Sequence, residues 1–256
     1  MKYHNLIACL ILFIFYGTAC TSSTSLEEQT LAFSHIVDLS HVIAPDMPQQ
    51  PGESRTQILL PHIQDGPQAL YLSLPSATYL NIPRAKSSDI TLDHMSPRNL
   101  ILPAVVLDMR DPAGNDPAYL LTISEIRAWE RRHGRIPADS MVILNTGWDN
   151  RWDRPDEYLN LDANEVPQVP GFSSAAIEFL TQKRRVSGLG SDTPNIGGSV
   201  SHADKPAVSH LPAEQLVLEN LTNLEQLPPT GTNLVISGMK IQSGYGSPVS
   251  VLAFVP

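Results

Sequence analysis

Several shortcuts to stability and binding are missing from this chain. It has only two cysteines, Cys9 and Cys20, both near the N-terminus, so the rest of the chain can build neither a disulfide nor a thiolate metal site. Basic charge is scarce: 17 Lys and Arg stand against 26 Asp and Glu, a net charge of −9. That offers no positive field for displacing counterions and argues against a nucleic-acid partner. Beyond residue 16 no apolar run is long enough to cross a bilayer. Internal repeats and low-complexity tracts are absent too, which argues against solenoids and biased linkers. Aromatic residues are few.

Proline is abundant. Its 22 copies punctuate the chain between short apolar runs, a pattern that suits many short connections and argues against long helical bundles. The first 20 residues read as a leader. Lys2 supplies a positive start and Leu6 to Tyr16 an apolar stretch. Gly17-Thr18-Ala19-Cys20 then resembles a lipoprotein cleavage box that lacks the usual Leu three positions before the Cys. The expectation is a lipoprotein-type signal over residues 1–20, a polar tether over 21–32 and one domain over 33–256. The domain would be exported across a bacterial inner membrane and held at a periplasmic or outer surface by an acyl chain on Cys20. A plain signal peptide is the alternative. Roughly 220–235 mature residues suit one domain with a sizeable core.

Strand signals lie at His35–Ser40, Thr56–Leu60, Ala69–Leu74, Ile101–Met109, Met141–Leu144, Val186–Leu189, Leu216–Leu218, Asn233–Ser237 and Val249–Phe254. Helices are expected at Thr122–Gly134, opened by Ser124 and Glu125, and from Ala175 to about Lys183, capped by Ser173 and Ser174. This element order predicts an α/β fold: a mixed β-sheet curling toward a barrel, with flanking helices. Two carboxylates stand where α/β proteins place chemistry, directly after buried strands: Asp192 in Gly190-Ser191-Asp192-Thr193-Pro194, and Glu219 before Asn220. Asp192 reads as a hydrogen-bond hub for its Thr-Pro turn or as a catalytic acid. Glu219 reads as a strand-end cap or a site carboxylate. His133, before Gly134, suits a helix end.

The run Glu219-Asn220-Leu221-Thr222-Asn223-Leu224-Glu225-Gln226-Leu227-Pro228 resembles a signature of the cyclase family, which includes bacterial kynurenine formamidases (arylformamidases) and isatin hydrolases. Further segments agree in order: Asp38-Leu39-Ser40-His41 with Pro48 and Pro51-Gly52, Pro103 to Asp108, Asn145-Thr146-Gly147-Trp148, Pro170-Gly171-Phe172-Ser173 and Gly190 to Pro194. The resemblance covers Phe33 to Pro256. It implies a swivelling β/β/α fold, a homodimer and hydrolysis of small formyl or cyclic amides of the kynurenine and tryptophan-catabolism type. It also implies Zn or Mn held by a His-x-Gly-Thr-His-x-Asp-x-Pro-x-His motif, since such an ion lowers the pKa of a bound water.

Here the aligned run is Pro75-Ser76-Ala77-Thr78-Tyr79-Leu80-Asn81-Ile82-Pro83-Arg84-Ala85. Thr78 and Pro83 match. Pro75, Tyr79 and Ala85 replace the three histidines and Asn81 replaces the aspartate. Ser250 stands where relatives often carry Arg. Glu219 matches the family acid, and His210 or His202 is the late family histidine. His41 is a candidate pocket residue, and His62 and His94 are candidate replacement ligands. Trp148 and the Trp-rich run to Asp153 border the substrate pocket in relatives.

Three readings follow. The first is a hydrolase of non-peptide C–N bonds with a rebuilt metal site, in which Glu219 is general base or residual ligand beside His210. The second is a metal-free relative that binds a small aromatic or cyclic amide, with Thr78, Tyr79, Asn81, Asp192 and Trp148 as contacts. The third is a tethered interaction protein with a vestigial pocket.

Overall fold

The computed structural model describes residues 32–60, 68–83, 91–199, 211–212 and 214–256. The leader, Cys20, His62, Ala85, His202 and His210 lie outside the described residues. In chain order the strands and α-helices are β1 (His35–Asp38), β2 (Gln57–Leu59), β3 (Ala69–Tyr71), β4 (Tyr79–Asn81), β5 (Ile101–Asp108), α1 (Arg110–Asn115), β6 (Leu120–Leu121), α2 (Ile123–His133), β7 (Met141–Asn145), α3 (Pro155–Leu159), β8 (Gly171–Phe172), α4 (Ser174–Glu178), β9 (Gly188–Ser191), β10 (Leu216–Glu219), β11 (Thr232–Gly238) and β12 (Gly246–Val255). No helix among the described residues is long and apolar enough to cross a membrane.

Seven strands close into a barrel in the order β12-β11-β5-β7-β9-β10-β4, with β4 pairing back onto β12; β1 adds to β12 from outside the ring. β5, β7, β9 and β10 run parallel, and the other pairings within the barrel are antiparallel. The parallel strands β7, β9 and β10 are buried throughout, which is why β7 and β10 read as apolar runs up to their last residue rather than as alternations. Alternate side chains still serve two cores. Ala104, Val106, Ile143, Leu216 and Leu218 fill the barrel with Leu80, Leu234 and Val251. Val105, Leu107, Val142, Leu144, Leu189 and Val217 pack with Ile126, Trp129, Ala176 and Ile177 of α2 and α4. Gly188 lets the strands close up, since a Cβ there would come within 2.6 Å of the Met141 side chain and 2.8 Å of the Leu216 carbonyl.

The expected mixed α/β barrel is therefore observed, with differences in detail. α2 is capped by Thr122 rather than opened by Ser124: Thr122 accepts from the Glu125 N–H, and the Glu125 carboxylate accepts from the Thr122 N–H. The helix from Ser174 turns π-helical at Phe179–Arg184 and exits through Arg185 in the left-handed region. Val186 still donates to the Leu180 carbonyl there, so the next strand starts at Gly188 and not at Val186. That offset runs β9 to Ser191 and puts Asp192 immediately beyond its end. β4, a three-residue strand with no legible alternation, was not among the expected strands, yet it closes the barrel.

Candidate active site

The C-terminal ends of the parallel strands carry Asp108, Asn145, Asp192 and Glu219. Alternation along β10 turns Leu218 into the barrel and Glu219 away from it, opposite Tyr79 in the antiparallel register with β4. Glu219 is only 6% exposed. Burial pushes its carboxyl up to about 8, and the Ile196 backbone N–H pulls it back only in part. It is therefore protonated at neutral pH. Beside it lies a cavity of about 20 Å³ bounded by residues that include Pro48, Gln50, Pro75, Tyr158 and Asn220. That is room for about one water.

Asp192 is fully enclosed and accepts from the Thr146 hydroxyl at 2.6 Å, the Thr146 N–H at 3.0 Å and the Trp148 N–H at 3.0 Å. Burial pushes it up to about 6 while these donors pull it down, so it is ionised at neutral pH. Its donors fasten the end of β7 to the end of β9. Asn220, in the left-handed region, joins the other loops. Its Nδ2 donates to the Ala77 carbonyl (2.5 Å), and its carbonyl accepts from the Thr78 hydroxyl (2.7 Å). The Tyr158 hydroxyl lies 2.8 Å from its Oδ1 and 3.0 Å from the Asp192 carbonyl.

An aromatic column flanks this centre. The His41 ring lies flat on Trp152, centroids 3.7 Å apart and planes within 5°, and Trp152 meets Tyr158 edge-on at 5.0 Å. Burial drops the His41 imidazole to about 4, so it is neutral. A 450 Å³ cavity opens beside it, lined by His41, Val42, Ala44, Asp46, Met47, Trp152 and Asp153.

Of the residues singled out from sequence, Glu219 and Tyr79 are paired partners on adjacent strands, and Asn81 sits two residues along β4. Thr78 is buried, and its hydroxyl is engaged on both sides, accepting from the His41 N–H at 2.8 Å and donating to Asn220. Trp148 is buried, donates to the Tyr158 carbonyl and carries the Arg151 guanidinium on its ring. Asp192 has the geometry of a hub. His94 is exposed, next to Asp93 and Thr91. His133 tilts against Trp129, a ring contact where a carbonyl cap was expected. Ser250 is exposed on β12. Nothing local in the sequence marks Tyr158, and Thr146 is marked only as part of the Asn145–Trp148 segment. Asn220 was quoted only as part of a signature.

A closed mixed barrel with a buried acid at the end of a central parallel strand defines a class, and sequence comparison agrees. Residues 37–197 match the family model described as "Putative cyclase", well over half the chain, and the chain belongs to the cyclase family. An isatin hydrolase of Roseibium aggregatum is 37% identical over 175 residues, 66% of this chain and 65% of that protein, so the match spans just under two thirds of the relative. Among solved structures, isatin hydrolase A of Ralstonia solanacearum is 30% identical with a TM-score of 0.79, covering 87% of this chain and 92% of that one. Isatin hydrolase A of Labrenzia aggregata, bound to benzyl benzoate, is 31% identical with a TM-score of 0.78, covering 86% and 93%. A structure described as a potential metal-dependent hydrolase with cyclase activity shares the fold at 16% identity and a TM-score of 0.64, covering 87% and 98%.

The divalent ion implied for this family needs several anionic or imidazole donors converging on one point. The described residues do not supply them. Pro75 has no donor, Asn81 offers a neutral amide, and the Tyr79 hydroxyl is pushed up to about 12 by burial and then by Glu219 and Glu53. Asp192 is taken up by Thr146 and Trp148, which leaves Glu219 as a lone carboxylate. No group of three His, Cys, Asp or Glu that could hold an ion is found among the described residues. Gly246 carries the same message: a Cβ there would collide with the Tyr79 ring, so the strand facing β4 is cut back to seat a phenol.

Proposed function

We propose that this chain is a cyclase-like hydrolase of small cyclic or formyl amides with an altered centre, in which Glu219 is the acid–base group. The observation that carries the reading is the enclosed Glu219 carboxyl, pushed up to about 8 beside a water-sized cavity. A general acid–base group works best when its pKa lies near the working pH. In the proposed step, ionised Glu219 takes a proton from water as the water oxygen bonds to the amide carbonyl carbon. The carbonyl oxygen then returns its electron pair, the C–N bond breaks, and Glu219 passes the proton to the leaving nitrogen. A strained cyclic amide suits such a centre, because ring opening relieves part of the barrier. The names of the isatin hydrolase relatives support that substrate class. Aryl formamides of the kynurenine type are the second class.

The test follows isatin and N-formylaniline with the purified chain, with and without chelator or added Mn and Zn, across pH. The expected result is isatin ring opening that rises as pH passes about 8, survives chelation and is lost in Glu219→Gln. Turnover that requires a stoichiometric metal, or none at any pH, would overturn it. Binding without turnover is the second reading, favoured by the 450 Å³ cavity, which is lined by the outer end of the aromatic column and not by Glu219.

A further inference from the structure

A flat ligand needs a face to lie on, and the contact of His41 with Trp152 marks one. Two flat heterocycles lie parallel at 3.7 Å, the arrangement an aromatic ligand would adopt on an indole face. His41 gains little else from it. Its Nε2 is enclosed and has no hydrogen-bond partner among the described residues, a state that proteins rarely leave unpaired. The backbone beneath the ring is pinned, with the His41 N–H on the Thr78 hydroxyl and the Ser40 hydroxyl accepting from the Val251 N–H, both at 2.8 Å. Only the side chain is free to move, and the 450 Å³ cavity beside it, with apolar Val42, Ala44 and Met47 in its wall, gives it space.

We propose that His41 is an internal plug: its imidazole occupies the slot on Trp152 that the flat ring of the ligand takes, and rotation of the side chain opens that slot. The proposal rests on the amide-handling reading of the Glu219 centre and adds where the ring of its ligand lies. A ring stacked on Trp152 lies next to Tyr158, whose hydroxyl meets Asn220 at the wall of the Glu219 cavity. The slot takes a neutral, flat bicycle of indole size. Asp46 and Asp153 in its lining disfavour anions, so a ring-opened carboxylate is held less tightly than the closed neutral amide.

Calorimetric titration at about pH 6, where Glu219 is protonated and hydrolysis by it is suppressed, tests this with isatin and indole as probes. His41→Ala should bind both about three- to tenfold more tightly than the natural chain, the size of a lost competing ring stack. His41→Phe, which restores a stacking plug, should lose that gain, and Trp152→Leu on the His41→Ala background should abolish it. Affinity unchanged or weaker in His41→Ala, or a gain that persists without Trp152, would overturn the plug. Parallel hydrolysis assays at about pH 9 separate the two claims. Tightening without turnover keeps the plug and removes the hydrolase reading; turnover without tightening removes the plug alone. Failure of both probes to bind any variant removes both.

Discussion

Leu218 and Glu219 are neighbours on β10, both almost fully buried, and they face opposite worlds. Leu218 turns into an aliphatic barrel where every neighbour can be swapped only for something of similar volume. Glu219 turns to a rim where buried polar groups are held by named partners or left protonated. The interior is specified by volume and the rim by hydrogen bonds, so equal burial predicts different responses to mutation. The interior should yield the larger effect. Leu218→Ala leaves a void among Leu80, Ile143 and Leu216 and should cost about 2–5 kcal/mol in denaturant unfolding, with little change at the rim. A cost below about 1 kcal/mol would mean the barrel collapses to fill the gap and is less closely packed than described.

Asp192→Asn sharpens the contrast from the other side. The side chain keeps its volume, but one acceptor oxygen becomes an NH2 facing the N–H groups of Thr146 and Trp148. The expected cost is about 1–3 kcal/mol, from donors left without an acceptor in a closed space. Because Asp192 ties β7 to β9 at the rim, the loss should fall with amide exchange protection concentrated at Thr146 to Trp148. Uniform loss across the barrel would show that rim and interior unfold as one unit.

The same contrast explains what could be read from sequence. Continuous apolar runs announced β7 and β10, because a strand buried on both faces needs no pattern beyond hydrophobicity, and β5 by its buried stretch Ala104–Leu107. The acid at the end of β10 was legible as a type of residue in a place, inside the segment that carries the resemblance. The partners that give the rim its chemistry were not legible. Tyr158 reaches Asn220 and Asp192 from 62 and 34 residues away in sequence, and Gly246 meets Tyr79 across the closing strand pair. No local period encodes such a contact. β4 escaped for the same reason: three residues carry no periodicity, and only barrel closure makes them a strand. The resemblance set Pro75, Tyr79 and Asn81 at positions where the family motif carries His or Asp. That a phenol at 79 needs a glycine at 246 was visible only in three dimensions.

The effect expected at Glu219 has the opposite sign to the other two. Glu219 ionises at about 8 in the folded chain and at an ordinary carboxylate value when unfolded, near 4.5. Between those values the folded state holds a proton that the unfolded state has released. The stabilisation is full below pH 4.5, falls as pH rises toward 8, and is flat above. Asp192, pushed up to about 6, adds a slope of the same sign that ends two units lower. Glu219→Gln keeps the shape of the protonated acid without its titration. It should leave stability at pH 5 nearly unchanged, raise it by roughly 1–3 kcal/mol at pH 8, and flatten the melting curve between pH 6 and 8 while the natural chain still declines. Equal slopes in the two proteins over that interval would place an ionised carboxylate at 219 and remove the acid–base centre from the rim.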